Sequence, residues 1–182
     1  MGFRGLAAGV CVGVLVVSAC GGDAGEAGGG SGLNPALARG GSPGTGSAEI
    51  ATDIAPDLQV DLSLLTRLPS GLHMRDLEVG RGEEAAVNGR TVRLAYTAWL
   101  SNGVQFDSSR EGGEPVEFTV GVGDVILGWD EGVVGMREGG RRLLVVPPAL
   151  GYGESGHPGM IPPNSTLVFD IELVEILSGG RE

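Results

Sequence analysis

The sequence predicts an α+β domain in which one short helix covers one face of a five- to six-stranded antiparallel sheet. Two observations lead to this prediction. Several short runs carry an apolar residue at every second position, whereas a single segment carries apolar residues at helical spacing. Glycine provides 35 of the 182 residues and is frequent near the N-terminus, so we expect the folded domain to be shorter than the chain.

The clearest predicted strand is the run 91–100, because apolar and polar residues alternate along it. Asn102-Gly103 follows with the residues typical of a tight hairpin turn. Two shorter runs rich in β-branched residues, 117–120 and 141–146, predict further strands. The last predicted strand, 166–176, places on one face Leu167, Phe169, Ile171 and Leu173, and on the other Asp170 and Glu172.

The helical prediction concerns residues 129–136. Trp129, Val133 and Met136 recur at the spacing of one helix face, and Gly139-Gly140 follows as a terminator. We therefore expect one short helix inside an otherwise β-rich domain.

The N-terminus has the features of a secretory signal. A positive charge at Arg4 precedes the uncharged apolar run 6–19, which is shorter than the roughly 20 residues needed to span a bilayer. The end of this run, Val17-Ser18-Ala19-Cys20-Gly21, resembles the lipobox of bacterial lipoproteins. This resemblance implies that residues 1–20 act as a signal peptide and that Cys20 becomes lipidated. It also implies an extracytoplasmic protein anchored to a bacterial membrane, in the periplasm or at the cell surface.

Three further segments follow the signal peptide. Residues 21–55 are dominated by Gly, Ser, Ala and Pro and predict a disordered tether. Residues 56–70 are more apolar and form a lead-in segment of undecided structure, either a strand or a helical turn. The predicted domain occupies residues 71–182. Because the tether is too Gly-rich for the long helix of a dimerisation arm, we expect a monomer.

The composition argues against several classes of site. Acidic residues outnumber basic ones by 23 to 12, which disfavours binding to nucleic acid. The two cysteines, Cys11 and Cys20, both precede the predicted domain, and the two histidines, His73 and His157, are far apart in sequence. We therefore predict no metal, no cofactor and no disulfide in the domain. The serines lack the Gly-x-Ser-x-Gly pattern of a hydrolase elbow.

A set of apolar residues in or beside loops can each be read as ordinary core, but together with their neighbours they form a pattern. The segments Tyr96-Thr97, Gln105–Arg110, Val125–Trp129 and Tyr152-Gly153 resemble those of the FKBP-type peptidyl-prolyl isomerases, the macrolide-binding immunophilins. The segments Gly156–Pro163 and Thr166–Asp170 extend this resemblance, which covers about residues 71–177 in the family's order.

The resemblance implies a half-open antiparallel sheet wrapped around the helix, with the site between them. It assigns Trp129 to the floor of the pocket, Asp107 and Tyr152 to its polar groups, and His157 to an overhanging loop. The Ile126 N–H would be available to a substrate carbonyl. The implied walls of the pocket are Tyr96, Phe106, Val125, Ile126, Ile161 and Phe169.

The implied activity is cis/trans isomerisation of Xaa-Pro bonds in extracytoplasmic polypeptides, in support of their folding and without covalent chemistry. The implied partners are proline-containing polypeptides and macrolides of the tacrolimus and rapamycin type. Two positions depart from the family: Gly112 replaces an Arg that pairs with the aspartate, and Val116 replaces an aromatic residue at the pocket edge. Whether Arg110 pairs with Asp107 instead stays open, as do the alternatives of a peptide-binding module, a chaperone and a structural lipoprotein.

Overall fold

The computed structural model describes residues 49–177. The predicted signal segment 1–20, with Cys20, and the tether as far as residue 48 lie outside the described residues.

The elements are β1 Thr66–Arg67, β2 His73–Glu78, β3 Thr91–Leu100, β4 Gln105–Ser108, β5 Val116–Thr119, α1 Leu127–Gly132, β6 Arg141–Val146 and β7 Leu167–Leu177, with 3₁₀ turns at Pro56–Leu58, Leu62–Leu64 and Pro148–Leu150. The seven strands form one antiparallel sheet in the order β1-β2-β6-β7-β3-β4, and β5 pairs with β3 beyond the end of β4.

The predicted α+β class is confirmed: one short helix packs against an open antiparallel sheet. The predicted alternation of β3 and β7 is also present, because Leu94, Ala98 and Phe169 are all buried on the helix side. Asp170, predicted on the opposite face, is nevertheless only 7% exposed. Arg141 donates hydrogen bonds to its carboxylate and covers it on that face. Within residues 49–177 no helix is long and apolar enough to cross a membrane.

The helix is shorter than the predicted 129–136 segment, since α1 ends at Gly132. Gly135 adopts a left-handed conformation with φ of 83°, and its N–H bonds the carbonyl of Ala86 at 2.9 Å instead of continuing the helix. The Arg142 side chain donates to the Gly132 carbonyl at 2.8 Å and satisfies one of the terminal acceptors. Met136 is still buried, so the apolar spacing located a core face correctly but not the end of the helix.

Two glycines allow α1 to lie directly against β6. A Cβ added at Gly128 would be 2.6 Å from Val146 Cγ1, and one added at Gly132 would be 2.6 Å from Leu144 Cδ1. Because these glycines are four residues apart, they share one helix face. The close approach presses Trp129, at the next position, into the centre of the domain.

The last residues of the predicted tether 21–55 are bonded to the domain, which the prediction of a disordered tether did not anticipate. The Ala55 N–H donates to the Ser101 carbonyl at 2.8 Å, and the Ala51 N–H donates to Thr166 Oγ1 at 2.7 Å. Residues 56–70 form the two 3₁₀ turns and β1. On the outer face of the sheet, away from α1, this segment and the strands line a groove with Asp57, Leu58, Gln59, Leu77 and Trp99.

Candidate active site

Trp129 lies at the centre of an aromatic cluster and is completely buried. The rings of Tyr96 and Phe169 meet it edge-on, with centroid distances of 4.9 and 5.5 Å. Phe106 contacts Phe169 in the same manner at 6.2 Å. Edge-to-face packing of this kind fixes the ring orientations as well as burying area. These four predicted site residues are therefore brought together in one cluster.

Phe118 also belongs to this cluster, with its ring centroid 5.9 Å from that of Trp129, and the sequence analysis did not assign it to the site. The available signal was the alternation along β5 and just beyond it, where Val116, Phe118 and Val120 are all buried. Val116 is thus a buried core residue on the β5 side of the domain.

The pairing of β3 with β4 brings Asp107 beside Tyr96. Ala98 is the direct partner of Asp107 in the ladder, so the two side chains project to the same face of the sheet. The Tyr96 hydroxyl donates to Asp107 Oδ2 at 2.5 Å, and the Ser108 N–H donates to Oδ1 at 2.9 Å. Asp107 is only 6% exposed, so both carboxylate oxygens are held by protein donors in a largely dry environment.

Burial dominates the electrostatics of the three polar groups. Burial raises the pKa of Asp107, although the hydrogen bonds from Tyr96 and Ser108 act in the opposite direction. Burial and, to a smaller extent, the Asp107 charge raise the pKa of Tyr152 to about 12. Burial and, to a smaller extent, the hydrogen bond to Asp107 raise the pKa of Tyr96 well above its ordinary value. Both tyrosines therefore stay protonated at neutral pH and act as hydrogen-bond donors.

Arg110 does not pair with Asp107. Its guanidinium lies 3.3 Å from Asp170 and 3.6 Å from Glu172, on the outer face of the sheet. The alternative in which Arg110 replaces the arginine missing at Gly112 is therefore wrong. The Tyr96 hydroxyl and the Ser108 amide provide the hydrogen bonds to the carboxylate instead.

The other side of the site is a loop that begins after the Pro148–Leu150 turn. His157 and Ile161 exchange two backbone hydrogen bonds of 2.8 and 2.9 Å, which fold the loop back on itself. The Tyr152 and His157 rings are in edge contact at 6.1 Å, and Ile161 is 3% exposed. Gly156, with φ of 60°, allows this fold, because a Cβ there would lie 2.3 Å from the Ile161 carbonyl oxygen.

Val125 and Ile126 precede α1 and are both buried in the same core as Trp129. The Ile126 carbonyl accepts the first helical hydrogen bond, from the Trp129 N–H at 2.9 Å. The Ile126 N–H has no acceptor among the described residues, and neither has the indole N–H of Trp129. Asp130 holds the preceding loop by accepting from two of its backbone N–H groups.

The comparison with protein families matches residues 82–174 to the model described as "FKBP-type peptidyl-prolyl cis-trans isomerase". An "FK506-binding protein" of Neisseria meningitidis serogroup B is 50% identical over 106 residues, which cover 58% of this chain and 96% of that protein. The "Peptidyl-prolyl cis-trans isomerase Fkbp12" of Drosophila melanogaster is 46% identical over 106 residues, 58% of this chain and 98% of that protein.

Solved structures give the same result. The crystal structure of AtFKBP13 matches with a TM-score of 0.57 and 42% identity, and covers 62% of this chain and 98% of that one. The crystal structure of FkpA from Escherichia coli matches with a TM-score of 0.58 and 41% identity, over 66% of this chain and 55% of that one.

Proposed function

Because the chain belongs to the family of FKBP-type peptidyl-prolyl cis-trans isomerases, we propose that its aromatic pocket isomerises Xaa-Pro bonds of extracytoplasmic polypeptides and so assists their folding. The observation that carries the proposal is the position of Trp129. Its indole is fully buried against the rings of Tyr96 and Phe169, and the Tyr96 hydroxyl donates to the Asp107 carboxylate.

A dry aromatic pocket suits this reaction because the barrier arises from amide resonance. Rotation about a peptide C–N bond costs roughly 18–20 kcal/mol, and Xaa-Pro bonds exchange over tens to hundreds of seconds. Resonance places negative charge on the carbonyl oxygen, which water stabilises in the planar amide. A pocket without water favours the twisted, less polar amide, and tighter binding of that state lowers the barrier.

The proposed roles combine the resemblance to the family with the contacts of the side chains. Trp129 supports the proline ring, while Phe106 and Phe169 exclude water from the amide. The Ile126 N–H and the Tyr152 hydroxyl donate hydrogen bonds to the substrate backbone. Burial raises the pKa of Tyr152 to about 12, so its hydroxyl is available as a donor at neutral pH, and the proposed mechanism uses no proton transfer.

Asp107 acts on the substrate chiefly by fixing the ring of Tyr96. The 2.5 Å hydrogen bond holds the phenol against Trp129 and orients the negative carboxylate towards the pocket. A charge in this position repels the carbonyl oxygen of a planar amide more strongly than that of a twisted one. The aspartate therefore contributes to the differential binding without forming a bond to the substrate.

We further propose that FK506 and related macrolides bind in the same pocket, because several relatives are FK506-binding proteins. Gly112 has no side chain, and Val116 is smaller than the aromatic residue that the family has at that position. Both differences reduce the contact area at the pocket edge. We therefore expect weaker binding than in relatives with larger residues at both positions, measurable as inhibition of the isomerase by FK506.

We propose that the chain is a monomer. We also propose that it lies outside a bacterial membrane, to which lipidated Cys20 anchors it. Mass spectrometry of protein extracted from membranes tests this, because a diacylglyceryl-modified N-terminal cysteine has a defined mass. The Cys20→Ala variant should lack this modification and keep residues 1–20, because in the lipoprotein pathway cleavage follows lipidation of the cysteine. A wild-type N-terminus that carries no lipid, or that begins at a residue other than Cys20, overturns the assignment.

Exchange spectroscopy tests the activity itself. The cis/trans exchange rate of a Leu-Pro tetrapeptide is measured by NMR with catalytic amounts of the full chain in detergent, and with the Trp129→Ala and Asp107→Val variants after their folding has been checked. We expect acceleration by the wild type that is reduced at least ten-fold in both variants. Binding of the peptide without acceleration would favour a peptide-binding module instead.

A further inference from the structure

A cleft of about 360 Å³ adjoins the proposed pocket and has no role in the mechanism described above. It shares two lining residues with the pocket, Phe106 and Asp107, so a peptide seated over these residues extends past the opening of the cleft. The full lining is Gln105, Phe106, Asp107, Ser108, Glu111, Gly112 and Gly113.

The cleft is open beside Gly112, where no side chain fills the space. Gly112 has a φ of 84°, a conformation that side chains rarely adopt, and a Cβ there would have nothing within 4 Å. A Cβ at Gly113 would lie 3.1 Å from the Ser109 Cα, so the backbone itself forms the wall on that side. The space is therefore available to a group of the substrate.

Glu111 is the exposed carboxylate of this cleft, whose lining also contains the buried Asp107. Its Oε2 accepts a hydrogen bond of 3.0 Å from the side-chain amide of Gln105, which positions the carboxylate without neutralising it. Among the described residues no basic side chain pairs with Glu111. The adjacent Arg110 is directed to Asp170 and Glu172 on the outer face. An exposed, unpaired carboxylate thus lies beside the substrate path.

We propose that Glu111 is a specificity-determining residue and that the enzyme prefers substrates with a basic residue flanking the proline. The inference rests on the proposed isomerase function and adds the substrate class. A Lys or Arg side chain reaches an acceptor several ångströms from its own backbone, and its apolar stem packs along Phe106. Exposed ion pairs are weak, so we expect a preference of about two- to five-fold rather than absolute selection.

The test compares lysine with norleucine, which has a similar apolar stem and no charge. Two series of tetrapeptides are measured with the full chain in detergent, one varied at the residue before proline and one at the residue after it. We expect kcat/KM to be about two- to five-fold higher for lysine in one of the series. The ratio should approach one in 0.5 M salt, because screening weakens exposed charge pairs.

A pair of variants with the same change in net charge separates a local from a general effect. Glu111→Gln should lower the lysine-to-norleucine ratio to about one while leaving the norleucine kcat/KM unchanged. Glu83→Gln, at an exposed position outside the cleft lining, should keep the wild-type ratio. Glu111→Lys should reverse the preference in favour of a glutamate-containing peptide.

Each failure has its own meaning. Equal kcat/KM for lysine and norleucine in both series overturns the proposal, as does an equal loss of preference in Glu83→Gln and Glu111→Gln. Absence of acceleration for the norleucine peptides contradicts the proposed isomerase function itself, independently of Glu111.

Discussion

The pocket has two walls that are built differently. The strand wall, made of Tyr96, Phe106, Asp107 and Phe169, belongs to β3, β4 and β7. Of these, β3 pairs with β7 along its whole length and with β4 and β5 on its other edge. The loop wall, made of Tyr152, His157 and Ile161, depends on a few turn hydrogen bonds and on three glycines with positive φ, at positions 153, 156 and 159.

This difference separates two tasks of the site. Residues held by ladders on both sides open only with the whole sheet, whereas loops with few backbone hydrogen bonds open at lower free energy. Tyr96 and Phe169 are held on both sides, whereas Phe106 and Asp107 lie on the edge strand β4 and are held through its pairing with β3 alone. We therefore expect the strand wall, and above all its β3 and β7 part, to keep a more constant shape than the loop wall. The loop wall is the part that can adjust to different polypeptides entering and leaving the pocket.

Replacing one buried residue in each wall with alanine should give the largest difference in the free energy of unfolding. Phe169→Ala removes a ring packed on both Trp129 and Phe106 and should lower the free energy of unfolding by about 3–5 kcal/mol. Ile161→Ala, although equally buried, should cost nearer 2 kcal/mol because the loop can collapse into the space. Urea denaturation measures both values, and equal losses would contradict the difference between the walls.

Two glycines of the loop wall provide a matched pair. Gly156 and Gly159 both have positive φ, so alanine costs about 1–2 kcal/mol of backbone strain at either position. Only at Gly156 would the added Cβ also clash, 2.3 Å from the Ile161 oxygen. We expect Gly156→Ala to lower kcat/KM about ten-fold and Gly159→Ala to leave it within about two-fold, since displacement of Ile161 misplaces one wall.

If the two glycine variants lose activity equally, backbone strain rather than the position of Ile161 controls the loop wall. Thermal denaturation of both variants provides the control, because comparable melting temperatures show that the difference in kcat/KM arises at the site.

The raised pKa of Asp107 predicts a pH dependence of stability that belongs to the strand wall. Between the unfolded value near 3.8 and the higher folded value, the native state binds more protons than the unfolded state. The unfolding free energy of the wild type should therefore fall, relative to Asp107→Asn, as pH rises through this interval, and then level off. Denaturation from pH 3 to 8 measures the difference, with Asp57→Asn at an exposed position as the control. A difference that is independent of pH would contradict the shift.

The smallest effect is expected at the loop-wall hydroxyl. Tyr152→Phe keeps the ring and removes one hydrogen bond to the substrate, so kcat/KM should fall about two- to ten-fold with the fold intact. Loss of all activity with unchanged peptide affinity would contradict an orienting role and indicate that the hydroxyl takes part in the chemistry.

How much of the fold the sequence predicts depends on the contrast between buried and exposed positions. In β3 every second residue is buried, so the alternation indicates both the strand and its inner face. In β2 and β4 most residues are exposed or half-buried, and no periodicity reveals them. The helix end was wrong for a related reason, because Met136 is buried in a turn that continues the apolar spacing of α1.

The site shows the same limit. The motif-based assignment placed Tyr96, Trp129 and Phe169 in one cluster, and the structure brings them together. Phe118 was missed because an aromatic residue in a short strand is indistinguishable from ordinary core until its neighbour is known. Arg110 pairs with Asp170 because its side chain lies on the outer face of the sheet. The sequence around Arg110 does not indicate on which face the side chain lies.

The attachment of residues 51–55 determines how a pull on the N-terminus reaches the domain. Force applied before residue 49 first loads the Ala51–Thr166 and Ala55–Ser101 hydrogen bonds, whose acceptors directly adjoin β7 and β3. Each contact is a single hydrogen bond, whereas β3 and β7 pair over ten residues of β3. We therefore expect this stretch to detach under tension before the β3–β7 ladder opens.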